Sequence, residues 1–175
     1  MFTKEENDYL SKIPKNKIVK IFPFNRNITK IAEEIITSVN NIYPDLEIKH
    51  MGASALKISG QNDIDIYAFS DPKDFSKFLP ELIKLFGKPI NKHETFYEWK
   101  FNKNDFDIEF YLTAKNSETM KEQIEVFEIL KNNKDLLKKY EFLKESLDGH
   151  SFREYQEEKY KFYKKIKVLF PNDNI

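Results

Sequence analysis

The chain has 175 residues, and its 29 Lys+Arg balance 29 Asp+Glu, so the formal net charge is zero. That length gives one domain with a sizeable core, and the charge balance excludes a non-specific nucleic-acid binder, which needs a basic excess to displace counterions from phosphates. The absence of cysteine removes disulfide frameworks, thiolate metal sites and cysteine nucleophiles together, and three histidines leave little for a multi-histidine metal site.

No apolar run approaches the roughly 20 residues of a membrane span, and the polar start MFTKEENDYL is unlike a signal peptide. We therefore expect a soluble, cytoplasmic protein with no membrane partner. Only 4 glycines and 7 prolines are present, which leaves no Gly-rich phosphate loop. The 16 Phe and 9 Tyr read as core and sheet material.

In chain order, KIVKIFP (17–23) reads as an opening strand. Ile28, Ile31, Ala32, Ile35, Ile36, Val39 and Ile42 recur at three- and four-residue steps, the mark of an amphipathic helix, with Asn27 as its N-cap. LEIKHM (46–51) alternates as a strand, and the small, polar segment 52–62 reads as a loop. DIDIYAF (63–69) is a strand with Asp63, Asp65 and Tyr67 on one face and Ile64, Ile66 and Ala68 on the other. Asp71-Pro72 opens a helix that Gly87 stops, with Pro80 a candidate kink. FYEWKF (96–101) and FDIEFYL (106–112), joined by Asn102–Asp105, predict an aromatic hairpin. Residues 116–170 read as three helices, broken near Asn132-Asn133 and Asp148-Gly149. The class is α+β. We expect one domain over 1–175, with an α/β core at 1–115 and a helical layer at 116–170.

Three stretches carry chemistry: His50-Met51-Gly52-Ala53-Ser54, Asp63-Ile64-Asp65 and Asp107-Ile108-Glu109. Aspartates at i and i+2 of a strand point the same way, with Cα atoms about 7 Å apart. A further acid from a neighbouring strand completes a cluster that cannot stay ionised without a cation. Magnesium, with manganese the alternative, suits carboxylate and phosphate oxygens, and such sites support phosphoryl and nucleotidyl transfer without a covalent nucleophile. Asp107 is the preferred third acid because its side chain is short. Glu109 shares its face, and alternation does not separate the two. Gly52 permits close backbone approach to a ligand, Ser54 offers a hydroxyl to phosphate, and Lys57 offers charge. Taken singly, each motif is also ordinary surface or turn chemistry; their joint order carries the reading.

That order resembles the nucleotidyltransferase superfamily: a Gly-Ser turn after a strand, Asp-x-Asp on the next strand and a third acid later. Within it the chain resembles the GrpB family over nearly its whole length. EIKHMGAS is similar to that family's E-H-I-G-S-T segment, which places His50 and Gly52 on family positions. DIDIYAF is similar to I-D-I-D-V. VFEILKNNKDLLKKYEFLK and EYQEEKYKFY resemble two helical segments of the family, ending in Tyr140 and Lys144 and giving Tyr155, Lys159 and Phe162. The departures are specific. Ala53 stands where the family has Ser, and Asp63 follows Gly52 by only 11 positions (63 − 52). Asp107-Ile108-Glu109-Phe110 replaces H-L-H-V, and Phe127 replaces a helix arginine.

The resemblance implies a mixed sheet flanked by helices, a C-terminal helical layer and an active cleft between the two. It also implies a magnesium-dependent nucleotidyltransferase that takes a nucleoside triphosphate, ATP by preference, and an acceptor that is a small molecule, an RNA or a protein. Asp63, Asp65 and Asp107 are the expected catalytic and metal-binding residues. Gly52, Ser54, Lys57, Lys144 and Lys159 are the expected phosphate-binding residues, and His50 and Tyr155 are expected to line the site. The alternative is a catalytically inactive nucleotide- or protein-binding module on the same fold.

Overall fold

The computed structural model describes residues 2–171. In chain order the elements are α1 (Lys4–Lys12), α2 (Asn27–Asn40), β1 (Glu47–Met51), α3 (Gly52–Leu56), β2 (Asp63–Phe69), α4 (Phe75–Phe86), β3 (Asn91–Lys92), β4 (Phe96–Lys103), β5 (Phe106–Thr113), α5 (Glu118–Asn132), α6 (Lys134–Ser146) and α7 (Phe152–Leu169). The strands form one mixed sheet in the order β1-β2-β5-β4-β3. β2 runs parallel to β5, and the other pairings are antiparallel.

The chain forms two compact units. One comprises Phe24–Ile58 and Asn62–Ile124, and the other the described parts of Met1–Pro23, Ser59–Gln61 and Glu125–Ile175. The first contains the whole sheet. Its core is one face of that sheet, where Ile64, Ile66, Ile108, Phe110 and Leu112 are fully buried against α2 and α4. Burying each large apolar side chain contributes about 1.5–3 kcal/mol. Trp99 also lies in this core, and its indole N–H donates to the Gly87 carbonyl at 2.8 Å, so a large ring is buried without orphaning its polar atom. In the second unit, Leu10, Ile13 and Val19 pack with Leu147, Phe152 and Tyr155.

The expected elements at 46–51, 63–69 and 71–87 and the three C-terminal helices are present; several others differ. Segment 17–23 makes only isolated bridges, Ile18 with Ser151 and Phe22 with Gly60; its alternation is real, but no continuous strand lies alongside to pair with it. Asn27 is the first helical residue rather than the cap, and Asn25 Oδ1 accepts its N–H at 3.0 Å. The first five residues of the expected loop form α3. The hairpin turn is tighter than Asn102–Asp105: Asn104 and Asp105 both take positive φ (52° and 68°), and the strands run on to Lys103 and Phe106. Two left-handed central residues make the turn whose twist matches the strands. α1, which the polar composition of the N-terminus hid, starts at a capping box. Thr3 Oγ1 accepts the Glu6 N–H at 3.1 Å, and Glu6 Oε2 accepts the Thr3 N–H at 2.6 Å.

Candidate functional site

The acids of β2 and β5 occupy the face opposite the core. Parallel pairing sets Asp63 beside Asp107 and Asp65 beside Glu109. The buried alternates Ile64 and Ile108 fix the opposite orientation of the acids, because strand side chains alternate between faces. Asp63 and Asp65 are half-buried, and Asp107 is exposed.

β1 ends at Met51, which pairs with Asp65, and the chain then turns at Gly52 into α3. Gly52 has φ +76°, and a Cβ built there would lie 2.2 Å from Asp65 Oδ2. The close approach expected at this glycine is therefore made by the Asp65 carboxylate itself. Two demands, a left-handed backbone and room for that carboxylate, converge on a residue without a side chain.

His50 and Ser54 are brought together by the turn. His50 pairs with Ile66, so it sits on the core side of β1, because directly paired residues share a face. Its Nε2 is hydrogen-bonded to Ser54 Oγ at 2.9 Å. Burial pushes the imidazole pKa down to about 4, so the ring is neutral at pH 7. Ser54 is 4 % exposed, and its hydroxyl is turned to the ring. The pair ties α3 to β1 and holds the glycine turn. Lys57 lies exposed at the left-handed exit of α3 (φ 59°).

A polar network extends this face across the hairpin, and none of its β4 members was singled out from the sequence. Lys100 Nζ lies 2.6 Å from Glu109 Oε1 and 3.2 Å from Glu98 Oε1. The Tyr111 hydroxyl donates to Glu109 Oε2 at 2.7 Å and faces Glu98 Oε1 at 3.1 Å. Asn91 Nδ2 also donates to Glu98, which is 6 % exposed. Partial burial disfavours the Lys100 ammonium, but the hydrogen bond and charge of Glu109, and then those of Glu98, outweigh it and hold the pKa above the usual lysine value. Burial, with the charges of Tyr67, Glu109 and Asp65, drives the Tyr111 pKa upward, so it stays a donor. The Tyr67 and Tyr111 rings stack at 4.9 Å with planes 10° apart, directly beyond Asp65 and Glu109.

Lys144, Lys159 and Tyr155 belong to the second unit. Lys144 is 4 % exposed and lies 5.5 Å over the Tyr140 ring, and Lys159 lies 5.6 Å over Tyr163. The two tyrosine hydroxyls are 3.1 Å apart. Tyr155 is instead a core residue, 2 % exposed and packed on Phe152 at 6.0 Å.

The donor chemistry on the acidic face, three hard carboxylates on two adjacent strands, fits a divalent cation. Among the described residues, however, no three His, Asp or Glu side chains are placed to hold one. Among the described residues no helix is long and apolar enough to cross a membrane.

A family model described as GrpB protein matches residues 18–168. The chain belongs to the GrpB family. No curated protein sequence matches it. Among solved structures, the conserved protein GrpB from Enterococcus faecalis is similar at TM-score 0.68 with 12% identity, over 87% of this chain and 99% of that one. At that identity the likeness speaks for the fold alone. Cid1, described for its RNA terminal uridylyl transferase activity, matches at TM-score 0.47 and 14% identity over 76% of this chain and 41% of its own. A cytoplasmic RNA terminal U-transferase matches at TM-score 0.40 and 16% identity, over 74% and 44%. The GrpB-family chain thus has an α+β fold, a mixed five-stranded sheet with flanking helices and a helical C-terminal part, similar to that of the Enterococcus faecalis GrpB protein.

Proposed function

We propose that this GrpB-family protein is a divalent-cation-dependent nucleotidyltransferase. It moves a nucleoside monophosphate from a nucleoside triphosphate, ATP by preference, to the oxygen of an acceptor. The observation that carries the reading is the register of two acidic strands: Asp63-Ile64-Asp65 lies alongside Asp107-Ile108-Glu109 on the face away from the core, with a glycine turn against Asp65.

Asp63, Asp65 and Asp107 would hold the cation, magnesium or manganese. A bound cation neutralises the carboxylates and the triphosphate and stabilises charge on the leaving group. Asp107, exposed at the margin, accepts the proton of the acceptor hydroxyl. The acceptor oxygen bonds to the α-phosphorus, the bond from that phosphorus to the bridging oxygen breaks, and pyrophosphate leaves. The Gly52 turn fixes Asp65, and the hydrogen-bonded His50–Ser54 pair fixes the turn. Lys57, exposed at the exit of α3, neutralises the triphosphate. The acceptor is a small molecule, an RNA or a protein; zero net charge offers no steering toward nucleic acid.

The test is a thermal-shift titration with ATP, with and without Mg²⁺, alongside pyrophosphate release against a panel of acceptors. Stabilisation that needs Mg²⁺ and vanishes in Asp63→Asn/Asp65→Asn is the expected result. Metal-independent stabilisation by ATP would favour the inactive binding module on the same fold.

A further inference from the structure

We propose that the exposed face of α6 docks single-stranded nucleic acid, with Phe142 as the base-stacking ring and Lys134, Lys138 and Lys139 as the phosphate contacts. The inference goes beyond the chemistry proposed above and does not depend on it. One side of α6 buries Tyr140 and Lys144 and sets Glu141 on Ser59. The other side is open. Phe142 is 72 % exposed and, among the described residues, is the one large apolar side chain of α6 left in solvent. Residues three and four apart on a helix are neighbours, so Lys138 and Lys139 flank Phe142, and Lys134 continues the row one turn further. All three lysines are exposed.

The chain leaves these groups unused. Among the described residues no ring or cation stacks on Phe142, and no carboxylate pairs with Lys134, Lys138 or Lys139. Other helices treat their lysines differently: Lys84 of α4 is held by Glu81, and Lys161 of α7 by Glu158. Asp135 is exposed in the same row and offsets one charge, while Glu145 is turned to Ser59. The complement of a basic row around one open ring is a strand with regular phosphates and unpaired bases. Stacking on an aromatic ring contributes about 1–3 kcal/mol per base and tolerates any sequence. From Lys134 to Phe142 is 8 residues (142 − 134), about 12 Å of helix, which matches three or four phosphates at about 3.4 Å each in a stacked strand. A duplex keeps its bases paired and gives Phe142 nothing to stack on. An anionic bilayer also complements lysine, but interfacial helices bury a whole apolar face, and here one ring contributes about 1.5–3 kcal/mol with no second large apolar side chain of α6 exposed beside it. A chain of zero net charge lacks the basic excess that steers nucleic acid from a distance, so this docking is local, and stacking supplies what charge does not.

The experiment is fluorescence anisotropy of an end-labelled oligoadenylate RNA of about 12 nucleotides with the full chain. Triphosphate and divalent cation are left out, so the result is independent of the proposed catalysis. Binding at about 10 µM is expected in 50 mM salt, weakening roughly 10- to 20-fold in 200 mM salt, as three phosphate contacts on a single strand require. Phe142→Ala should lower affinity about 10-fold with the salt slope unchanged, and Phe142→Trp should keep it. Lys134→Gln/Lys138→Gln/Lys139→Gln should flatten the salt slope. These positions are exposed, and circular dichroism should show each variant folded. No RNA binding in 50 mM salt overturns the proposal. So does binding that Phe142→Ala leaves unmoved, or a duplex of the same length bound as tightly as the single strand. Capture by phosphatidylserine vesicles without RNA binding also overturns it and assigns the face to a membrane surface.

Discussion

The two faces of the β2–β5 ladder are built by one alternation and have opposite physical tasks. On one side Ile64, Ile66, Ile108 and Phe110 have no exposed surface and carry stability through burial. On the other, Asp63, Asp65, Asp107 and Glu109 stand in like-charged pairs, an arrangement that opposes folding unless a cation or a lysine compensates it. The contrast teaches that damage to fold and damage to site are separable in this sheet at a spacing of one residue.

The sharpest way to break that separation is on the core side. Phe110→Ala empties a site flanked by Phe86 at 4.8 Å and Trp99 at 5.9 Å, and should cost about 3–5 kcal/mol in urea denaturation. Asp63→Asn, one strand away on the other face, should leave the denaturation midpoint unchanged or raised while removing Mg²⁺-dependent ATP stabilisation.

A second effect comes from acid. His50 has a folded pKa near 4 against about 6.5 unfolded. Its folded pKa is depressed because burial disfavours the charged ring, so the unfolded chain binds the proton first. The neutral ring's contribution is whole above pH 6.5 and is lost as pH falls toward 4. Urea denaturation at pH 4.5 and pH 7.5 should differ by roughly 2 kcal/mol from this residue, a difference that His50→Gln abolishes.

Gly52→Ala joins the two faces' concerns. The atom its Cβ meets is the end of a movable side chain, Asp65 Oδ2, so the steric conflict is relieved by turning Asp65. The stability cost then comes from the positive φ, about 1–2 kcal/mol. The loss in Mg²⁺-dependent ATP stabilisation should far exceed what that destabilisation accounts for. The smallest effect is a gain: Lys57→Gly relieves a left-handed lysine at the exit of α3 (φ 59°) and should add about 1 kcal/mol, read from the melting temperature.

Much of this contrast was legible in the sequence. Asp-Ile-Asp-Ile announces its two faces by period alone, and the Asn/Asp pair between two aromatic runs announces a hairpin. Register was the missing step. With Asn104 and Asp105 as the two turn residues, Lys100 falls opposite Glu109 and Glu98 opposite Tyr111, so the network that tethers Glu109 was within reach once a four-residue loop was replaced by a two-residue turn. Thr3-x-x-Glu6 is likewise a readable capping box, passed over because the segment is polar. The His50–Ser54 contact was not legible for a physical reason: spacing places a side chain on a face, but it does not say that a buried ring four residues upstream pairs with a hydroxyl. The grouping of Ser59–Gln61 with the N-terminal and C-terminal helical segments joins positions far apart in the chain, which no local pattern encodes.

The most direct measurement is anomalous-difference crystallography of the chain with Mn²⁺ and a non-hydrolysable ATP analogue. The account predicts a manganese peak in contact with Asp63 and Asp65, with the triphosphate beside it. A nucleotide bound with no manganese at those two aspartates would contradict it.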